Sequence, residues 1–169
     1  MGTPKDLEGA RSLAGRDKYQ FQWWACSLVN AQPYESRRKG ADGGIDGIIY
    51  FQDEKSAAKK IIVSVKAGEN VGLTMVKDLI ATVAGEGAQI GLFITLAPPT
   101  KSMIAEAVRT GYYSSATGQS FPKIQILTIE SLLDGSERPS YPDLAHGGLT
   151  FKQTKREKTK EEQLDLPGL

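Results

Sequence analysis

Two short stretches, GADGGIDG at residues 40–47 and VSVK at residues 63–66, decide the fold expected of this chain. The first is a glycine-dense turn that leads into residues 45–51, a run rich in β-branched and aromatic side chains, which predicts a strand. The second stretch ends residues 61–66, another run of the same kind. The polar residues 52–60 between the two runs favour a hairpin connection.

Antiparallel pairing of these two strands brings a carboxylate close to an amine. In such a hairpin the start of the first strand lies near the end of the second, so the sequence predicts Asp46 beside Lys66. Because side chains alternate along a strand, Ser64 projects from the same face as Lys66, while Val63 and Val65 project from the other face. Polar groups therefore interrupt one side of an otherwise apolar strand.

The pair of Asp46 and Lys66 has two interpretations. In the first, the Asp46 carboxylate and the main-chain carbonyl of Val65 hold Mg²⁺ or Mn²⁺, which lowers the pKa of a bound water, and Lys66 orients or activates the nucleophile. In the second, Asp46 and Lys66 form a structural ion pair at the end of a sheet, and the glycines only make a turn. The spacing of the residues does not decide between these interpretations.

The rest of the chain predicts alternating helices and strands. A helix over residues 17–30 begins at an Asp17 N-cap and buries one apolar face. Further elements are expected as a helix at 74–84, a strand at 90–96, a helix at 98–111 that buries Ile104, Ala107 and Val108, a polar loop at 112–122, a strand at 123–128, a helical turn at 129–133 and an edge strand at Leu149, Thr150 and Phe151. This order indicates an α/β fold, a mixed β-sheet flanked by α-helices with right-handed parallel crossovers.

The length and composition of the chain favour one folded domain. At 169 residues, with 21 Lys and Arg against 20 Asp and Glu, the chain is long enough to bury an independent core. We expect an N-terminal extension at residues 1–16, the domain at 17–152 and a charged, disordered tail at 153–169. No apolar run approaches the ~20 residues that span a bilayer, and the N-terminus lacks a signal-peptide core, so a cytoplasmic setting without a membrane partner is expected.

The shortage of histidine and cysteine excludes several kinds of site. Cys26 and His146 are the one cysteine and the one histidine of the chain, so they cannot supply the four ligands of a structural zinc site. Nucleases that need two histidines are excluded for the same reason. There is no P-loop motif either. Any chemistry must therefore come from carboxylates and lysines.

These residues carry a resemblance to a known superfamily. The order of a helix, a G-x-D-x-G-x-D turn, an apolar strand that ends in x-x-K, a helix and a further strand resembles the restriction-endonuclease-like superfamily with its PD-(D/E)xK signature, and within it the Mrr-like endonuclease domains. The likeness covers residues 19–106. Residues 8–11, 19–25 and 39–47 are also similar to the C-terminal end of some amino-type DNA methyltransferases of restriction-modification systems.

The resemblance implies a Mg²⁺-dependent endonuclease that hydrolyses DNA phosphodiesters in a restriction-modification or Mrr-like system. By position, Asp46 matches the metal-binding aspartate and Lys66 matches the catalytic lysine. The catalytic set is completed by Ser64 and Gln22, acting through hydrogen bonds or bound water, and the Val65 carbonyl is a metal ligand beside Asp46.

Two positions depart from the family's pattern. Ser64 stands where the signature has Glu, Asp or Gln, and Gln22 stands where these domains usually have a glutamate on the first helix. Gln22 suits a solvent-facing helix position equally well. Either a sparse site binds metal with the help of waters and phosphate, or the domain is inactive and only binds DNA, or another carboxylate moves in, for which the candidates are Glu35, Asp42 and Glu69.

The expected partner is DNA. A basic triplet before the glycine turn and two further lysines are the candidate phosphate contacts, namely Arg37, Arg38, Lys39, Lys60 and Lys77. Each of them is equally compatible with an ordinary solvated surface. The resemblance adds a DNA methyltransferase as a partner, and a homodimer is a further expectation. The competing interpretations are a catalytically inactive DNA-binding or specificity module and a dimerisation scaffold.

Overall fold

The computed structural model describes residues 3–34, 44–54 and 57–142. The basic triplet, Glu35, Asp42, the predicted edge strand at residues 149–151 and the predicted tail at 153–169 lie outside these residues. In chain order the helices and strands are α1 (Leu7–Arg16), α2 (Lys18–Leu28), β1 (Gln32–Pro33), β2 (Gly47–Glu54), β3 (Ala57–Lys66), α3 (Leu73–Gly85), β4 (Ile90–Thr95), α4 (Lys101–Arg109), β5 (Tyr112–Ser114), β6 (Ser120–Pro122), β7 (Ile124–Thr128) and α5 (Ile129–Asp134). None of the helices within the described residues is long and apolar enough to cross a membrane.

The chain begins with two helices that share one capping residue. Asp17 ends α1 and also begins α2, where its side chain accepts a hydrogen bond from the Gln20 N–H at 3.1 Å. This confirms the predicted N-cap. Residues 1–16 were expected to be an extension, but they include α1, whose Ala10 and Leu13 are buried in the core. The Asp6 side chain caps α1 by accepting from the Gly9 N–H at 2.8 Å.

A five-stranded mixed sheet in the order β1-β2-β3-β4-β7 forms the centre of the fold. The predicted hairpin is confirmed, because β2 and β3 pair antiparallel with Gly47 opposite Val63. β2 continues to Glu54 and β3 begins at Ala57. Most of residues 52–60, which were predicted to form the connection, therefore belong to the two strands. The strands β3, β4 and β7 run parallel, as their intervening helices predict.

Helices cover both faces of the sheet. Side chains of one face, including Val63 and Val65, pack with α1 and α2 in one cluster, and those of the other face, including Ile62 and Phe93, pack with α3 and α4 in a second cluster. Gly91 lets α3 approach the sheet, because a Cβ at this position would lie 2.7 Å from Val83 Cγ2. Ser64, which pairs with Phe93, therefore belongs to the face covered by α3 and α4.

Two predictions about the later elements are wrong. In α4 the predicted burial of Ala107 is confirmed, but Met103 is buried beside it, whereas Ile104 and Val108 are 47% and 71% exposed. The buried face of the helix is therefore turned towards Met103 from the predicted orientation. The region predicted as a polar loop at residues 112–122 contains an antiparallel hairpin of β5 and β6.

The topology brings the ends of several strands to one edge of the sheet. Because β3, β4 and β7 are parallel, their final residues Lys66, Thr95 and Thr128 lie at the same edge. The helices α3, α4 and α5 each follow one of these strands and begin there. β2 runs antiparallel to β3, so its beginning, with Asp46, lies at this edge too. We call it the Lys66 edge.

Candidate nucleic-acid interface

Hydrogen bonds of its backbone and of its side chain fix Asp46 at the Lys66 edge. Its N–H donates to the Val63 carbonyl at 2.8 Å, and its carbonyl accepts from the Tyr34 N–H at 2.9 Å and from the Cys26 thiol at 3.5 Å. Its carboxylate Oδ2 accepts from the Val65 N–H at 2.7 Å. The carboxylate therefore extends the β2–β3 pairing beyond its last backbone pair and reaches the residue next to Lys66.

Gly47 is required for this arrangement because it lies under helix α2. A Cβ at Gly47 would come within 2.7 Å of Cys26 Sγ and 3.1 Å of the Gln32 carbonyl oxygen. Only a residue without a side chain lets β2 begin this close to α2 and β1. The glycine after Asp46 in the sequence motif thus has a packing reason.

The Cys26 thiol is a buried neighbour of the site and takes no part in its charge. Burial, together with the charge of Asp46, raises the pKa of Cys26 from 9.0 to about 12. The group is therefore an uncharged, unreactive thiol near neutral pH. As the pH rises, the thiol deprotonates in the unfolded chain at a lower pH than in the folded protein. The free energy of unfolding that Cys26 contributes is therefore fully present below pH 9.0 and falls as the pH rises from 9.0 towards 12.

Ser64 and Lys66 lie on β3 in the way that the alternation predicted. Ser64 is only 5% exposed and Lys66 is half-buried. The Lys66 carbonyl accepts a hydrogen bond from the Leu96 N–H at 3.0 Å, which holds the end of β3 against the end of β4. The structure brings Asp46, Ser64 and Lys66 to one edge of the sheet, but it puts a buried hydroxyl at the middle position of the signature.

The described residues fit a magnesium ion poorly. Asp46 is the carboxylate that the fold places beside the Val65 peptide, and one of its oxygens already accepts the Val65 N–H. Ser64 is neutral, and Glu69, three residues beyond Lys66, is exposed. Within residues 3–34, 44–54 and 57–142, no three His, Cys, Asp or Glu side chains lie close enough together to hold a metal ion. Mg²⁺ is usually held by one or two carboxylates together with waters and substrate phosphates. Beside Val65 the described residues supply one carboxylate, that of Asp46, and it already accepts a hydrogen bond.

Gln22 lies on the other side of the sheet from Ser64 and Lys66. It lies on α2, half-buried, one helical turn before Cys26, whose thiol contacts the Asp46 carbonyl. Because α2 packs on the face of Val63 and Val65, Gln22 does not share a face with Ser64 and Lys66.

The structure separates the two lysines that it describes among the predicted DNA contacts. Lys60 lies six residues before Lys66 on β3, about 20 Å away along the strand. It forms an ion pair with Glu86 at 3.7 Å, at the opposite edge of the sheet. Lys77 is exposed on α3, about 6 Å along the axis from the start of that helix at the Lys66 edge. Of the two lysines, Lys77 is therefore on the helix that begins at the Lys66 edge, whereas Lys60 lies at the opposite edge.

Sequence reasoning missed one buried charge. Asp53, on β2, is 6% exposed, and its carboxylate accepts hydrogen bonds from the Tyr113 hydroxyl and, at 2.9 Å, from the Ala116 N–H. These two contacts join the β5–β6 hairpin to the sheet. Asp53 stands two residues after the buried Phe51, and side chains two apart on a strand face the same side of the sheet. This alternation is the sequence feature that could have predicted an inward-facing carboxylate at Asp53.

This sheet, with its hairpin, two parallel crossovers and an aspartate and a lysine at one edge, is a restriction-endonuclease-like fold. A solved structure supports this class: the protein described as "DNA modification-dependent restriction endonuclease AspBHI" matches with a TM-score of 0.58 and 20% identity over 82% of this chain. The chain corresponds to 38% of the length of that protein, so the likeness concerns the fold. Among curated proteins none matches the chain.

A family model identifies the family within this class. The model described as "NACHT-associated inactive Restriction Endonuclease 1" matches residues 20–134, most of the chain. The protein belongs to this family. The matched residues run from the first turn of α2 to the end of α5, so they include Gln22, Asp46, Ser64 and Lys66.

Proposed function

We propose that this protein is a catalytically inactive restriction-endonuclease-like module that binds DNA through the Lys66 edge. The observation that carries the proposal is the replacement of the second metal-binding acid by Ser64, a hydroxyl that is 5% exposed and lies on the face packed against α3 and α4. A hydroxyl is a weaker ligand for a hard divalent cation than a carboxylate. The family description, which includes the word "inactive", supports the same interpretation.

Loss of the acid leaves the Lys66 edge suited to binding an anion. With Ser64 at the second acid position, Asp46 is engaged by the Val65 N–H, and Lys66 and Lys77 supply positive charge, against the exposed Glu69 three residues beyond Lys66. The helices α3 and α4 begin at this edge, and helix N-termini favour negative groups. A DNA phosphate is an anion that such a surface can bind without any metal ion.

The module is proposed to act beside a NACHT region. The family description names a NACHT association, and a module that binds DNA without cutting it suits a recognition role within a larger protein. A DNA methyltransferase as partner, which the resemblance of residues 8–11, 19–25 and 39–47 implied, remains a prediction.

We expect DNA binding to depend on Lys66 and not on Lys60. Lys66→Ala should weaken binding to a duplex about tenfold at low salt and reduce the slope of log K against log salt by about 1, because one phosphate contact is lost. Fluorescence anisotropy with a labelled duplex, titrated at several salt concentrations, measures both quantities. Lys60→Ala is the matched control, since it removes the same charge from the same strand about 20 Å away. Equal losses in the two variants, or no binding by the wild type at low salt, would contradict the proposal.

The second candidate is a Mg²⁺- or Mn²⁺-dependent endonuclease. It is favoured by the position of the Asp46 carboxylate, which reaches the Val65 N–H at 2.7 Å, one residue from Lys66. In that case Asp46 and the Val65 carbonyl bind the metal, and Lys66 stabilises the transition state. Cleavage that requires a divalent cation, and that Asp46→Asn abolishes, would establish this candidate instead.

A further inference from the structure

Ser64 is a buried hydroxyl whose hydrogen-bonding capacity the described residues leave unused. Five polar or charged side chains are buried in residues 3–34, 44–54 and 57–142. Four of them form side-chain hydrogen bonds, namely Asp53, Thr95, Ser115 and Gln125. The hydroxyl of Ser64, which is 5% exposed, forms none within this part of the chain. Because buried polar groups almost always have a partner, Ser64 points to a bound water or a ligand at this position.

Helix α3 begins without a side-chain cap. Its N-cap residue is Gly72, which has no side chain to accept a hydrogen bond, and its first turn contains no acidic residue. The other four helices in the described chain are each capped by a side chain, from Asp6, Asp17, Thr100 and Thr128. At the start of α3 the N–H groups of Leu73 and Thr74 have no acceptor within the helix. They are therefore donors that an anion at the Lys66 edge can use.

Ser64 and the first turn of α3 lie at the same level of the fold. Gly91, which pairs with Ile62 on β3, lies under α3, because a Cβ at this glycine would be 3.2 Å from the Leu79 Cγ. Ser64 follows Ile62 by two residues on the same face, about 7 Å nearer the Lys66 edge. Since α3 begins at that edge, the same distance along the helix corresponds to about four residues before Leu79. The Ser64 hydroxyl thus faces the first turn of α3, and Lys66 lies level with the start of the helix.

We propose that Ser64 and the start of α3 form a binding site for one phosphate group, which we call the Ser64 site, and that a DNA backbone phosphate occupies it. This inference rests on the DNA binding proposed above. The N–H groups of Leu73 and Thr74 and the Ser64 hydroxyl donate to the phosphate oxygens, and the Lys66 ammonium balances their charge. Glu69, the first acid after Lys66 in the chain, is exposed, so water screens its charge.

The Ser64 site gives a physical role to the serine in the signature. A carboxylate at this position would repel a phosphate unless a cation lay between them. A hydroxyl donates a hydrogen bond to a phosphate oxygen directly. The same substitution that weakens metal binding therefore adds a donor for the phosphate.

An NMR titration of the full-length chain with inorganic phosphate tests the Ser64 site without DNA. We expect the amide resonances of Leu73 and Thr74 to shift in a saturable way, whereas sodium chloride at equal ionic strength should not shift them. Ser64→Ala should raise the apparent Kd about fivefold or more, because one donor is lost. Ser102→Ala is the matched control, since it removes an exposed hydroxyl from the first turn of α4 at the same edge and should leave the Kd unchanged.

Thermal unfolding in phosphate-free buffer separates binding from folding. The Ser64 hydroxyl has no hydrogen bond within the described residues to lose, so Ser64→Ala should unfold at the same temperature as the wild type or at a higher one. A clearly lower unfolding temperature would show that the hydroxyl has a structural partner and would contradict the proposal.

Duplex DNA is the second ligand to be measured, by fluorescence anisotropy at several salt concentrations. Ser64→Ala should weaken binding about threefold to tenfold, the effect of one hydrogen bond. The slope of log K against log salt should stay the same, because no charge is removed. Lys66→Ala, by contrast, is expected to reduce that slope.

Failure of the Ser64 site and failure of the proposed function give different results. If phosphate does not shift the Leu73 and Thr74 amides and Ser64→Ala binds DNA as tightly as the wild type, the Ser64 site is overturned and the proposed function stands. If phosphate shifts these amides but the wild type does not bind DNA, the proposed function is overturned, and so is the assignment of the site to a DNA phosphate. Shifts that are equal in the wild type and Ser64→Ala would exclude the hydroxyl from the site.

Discussion

Asp53→Ala is expected to destabilise the protein by about 2–4 kcal/mol, because it removes a buried acceptor from two donors at once. In the wild type the Asp53 carboxylate accepts from the Tyr113 hydroxyl and from the Ala116 N–H. Hydrogen bonds to charged groups contribute more than neutral ones, and a buried N–H left without a partner is costly. Urea unfolding followed by circular dichroism gives the free energy of unfolding of each variant.

Three comparison variants show whether the two hydrogen bonds cause the effect. Asp53→Asn keeps an acceptor of the same shape and should cost less than Asp53→Ala. Tyr113→Phe removes one donor, and its cost should be partly absent when Asp53 is already alanine, as expected for two groups in contact. Asp78→Ala removes a carboxylate from the exposed side of α3 and should change stability by no more than about 0.5 kcal/mol. Equal effects of Asp53→Ala and Asp78→Ala would refute the assigned role.

Gly47→Ala is expected to cost about 1–3 kcal/mol through overpacking, and Cys26→Ala should relieve most of that cost. The added Cβ would meet Cys26 Sγ at 2.7 Å, and the thiol is completely buried, so it has little room to move. Cys26→Ala removes that sulfur and leaves the Gln32 carbonyl oxygen at 3.1 Å as the next contact. Urea unfolding of the wild type, the two single variants and the double variant forms a double-mutant cycle. The free energy of unfolding lost in the double variant should be smaller than the sum of the two single losses by about 1 kcal/mol or more.

A glycine elsewhere provides the control for this substitution. Gly15 lies in α1, and a Cβ added there would have no atom within 4 Å, so Gly15→Ala should stabilise the protein by about 0.5–1 kcal/mol through helix propensity. If the stability losses of Gly47→Ala and Cys26→Ala simply add in the double variant, contact with the Cys26 thiol is not the reason that position 47 requires a glycine.

Local patterns predicted the central hairpin and the position of its polar residues. The β-branched runs on either side of residues 52–60 predicted two strands, and their antiparallel pairing carried Asp46 to the end of β3. The observed register puts Gly47 opposite Val63, so the carboxylate meets the Val65 N–H, one residue before the predicted neighbour Lys66. Register depends on side-chain packing across the whole pair, which the spacing of two motifs does not contain.

Other features depend on tertiary packing that a single sequence does not reveal. In α4 the residues Ile104 and Val108 are as apolar as a core requires, yet Met103 and Ala107 face the sheet. The direction in which α4 faces is set by its contact with α3 and β7, and Thr100, whose hydroxyl accepts from the Met103 N–H at 3.2 Å, fixes where the helix begins. Lys60 and Lys66 look alike in the sequence, and only the length of β3 places them at opposite edges of the sheet.

A cleavage assay with supercoiled plasmid DNA tests directly whether the Lys66 edge binds DNA without cutting it. The wild type, Asp46→Asn and Lys66→Ala are purified in the same way and incubated with plasmid and either Mg²⁺ or Mn²⁺, at protein concentrations where anisotropy shows that DNA is bound. We predict that the wild type binds the plasmid and produces no more nicked or linear DNA than Asp46→Asn. Nicking by the wild type that requires the metal ion, and that both variants lose, would contradict this prediction and show that the restriction-endonuclease-like site is active.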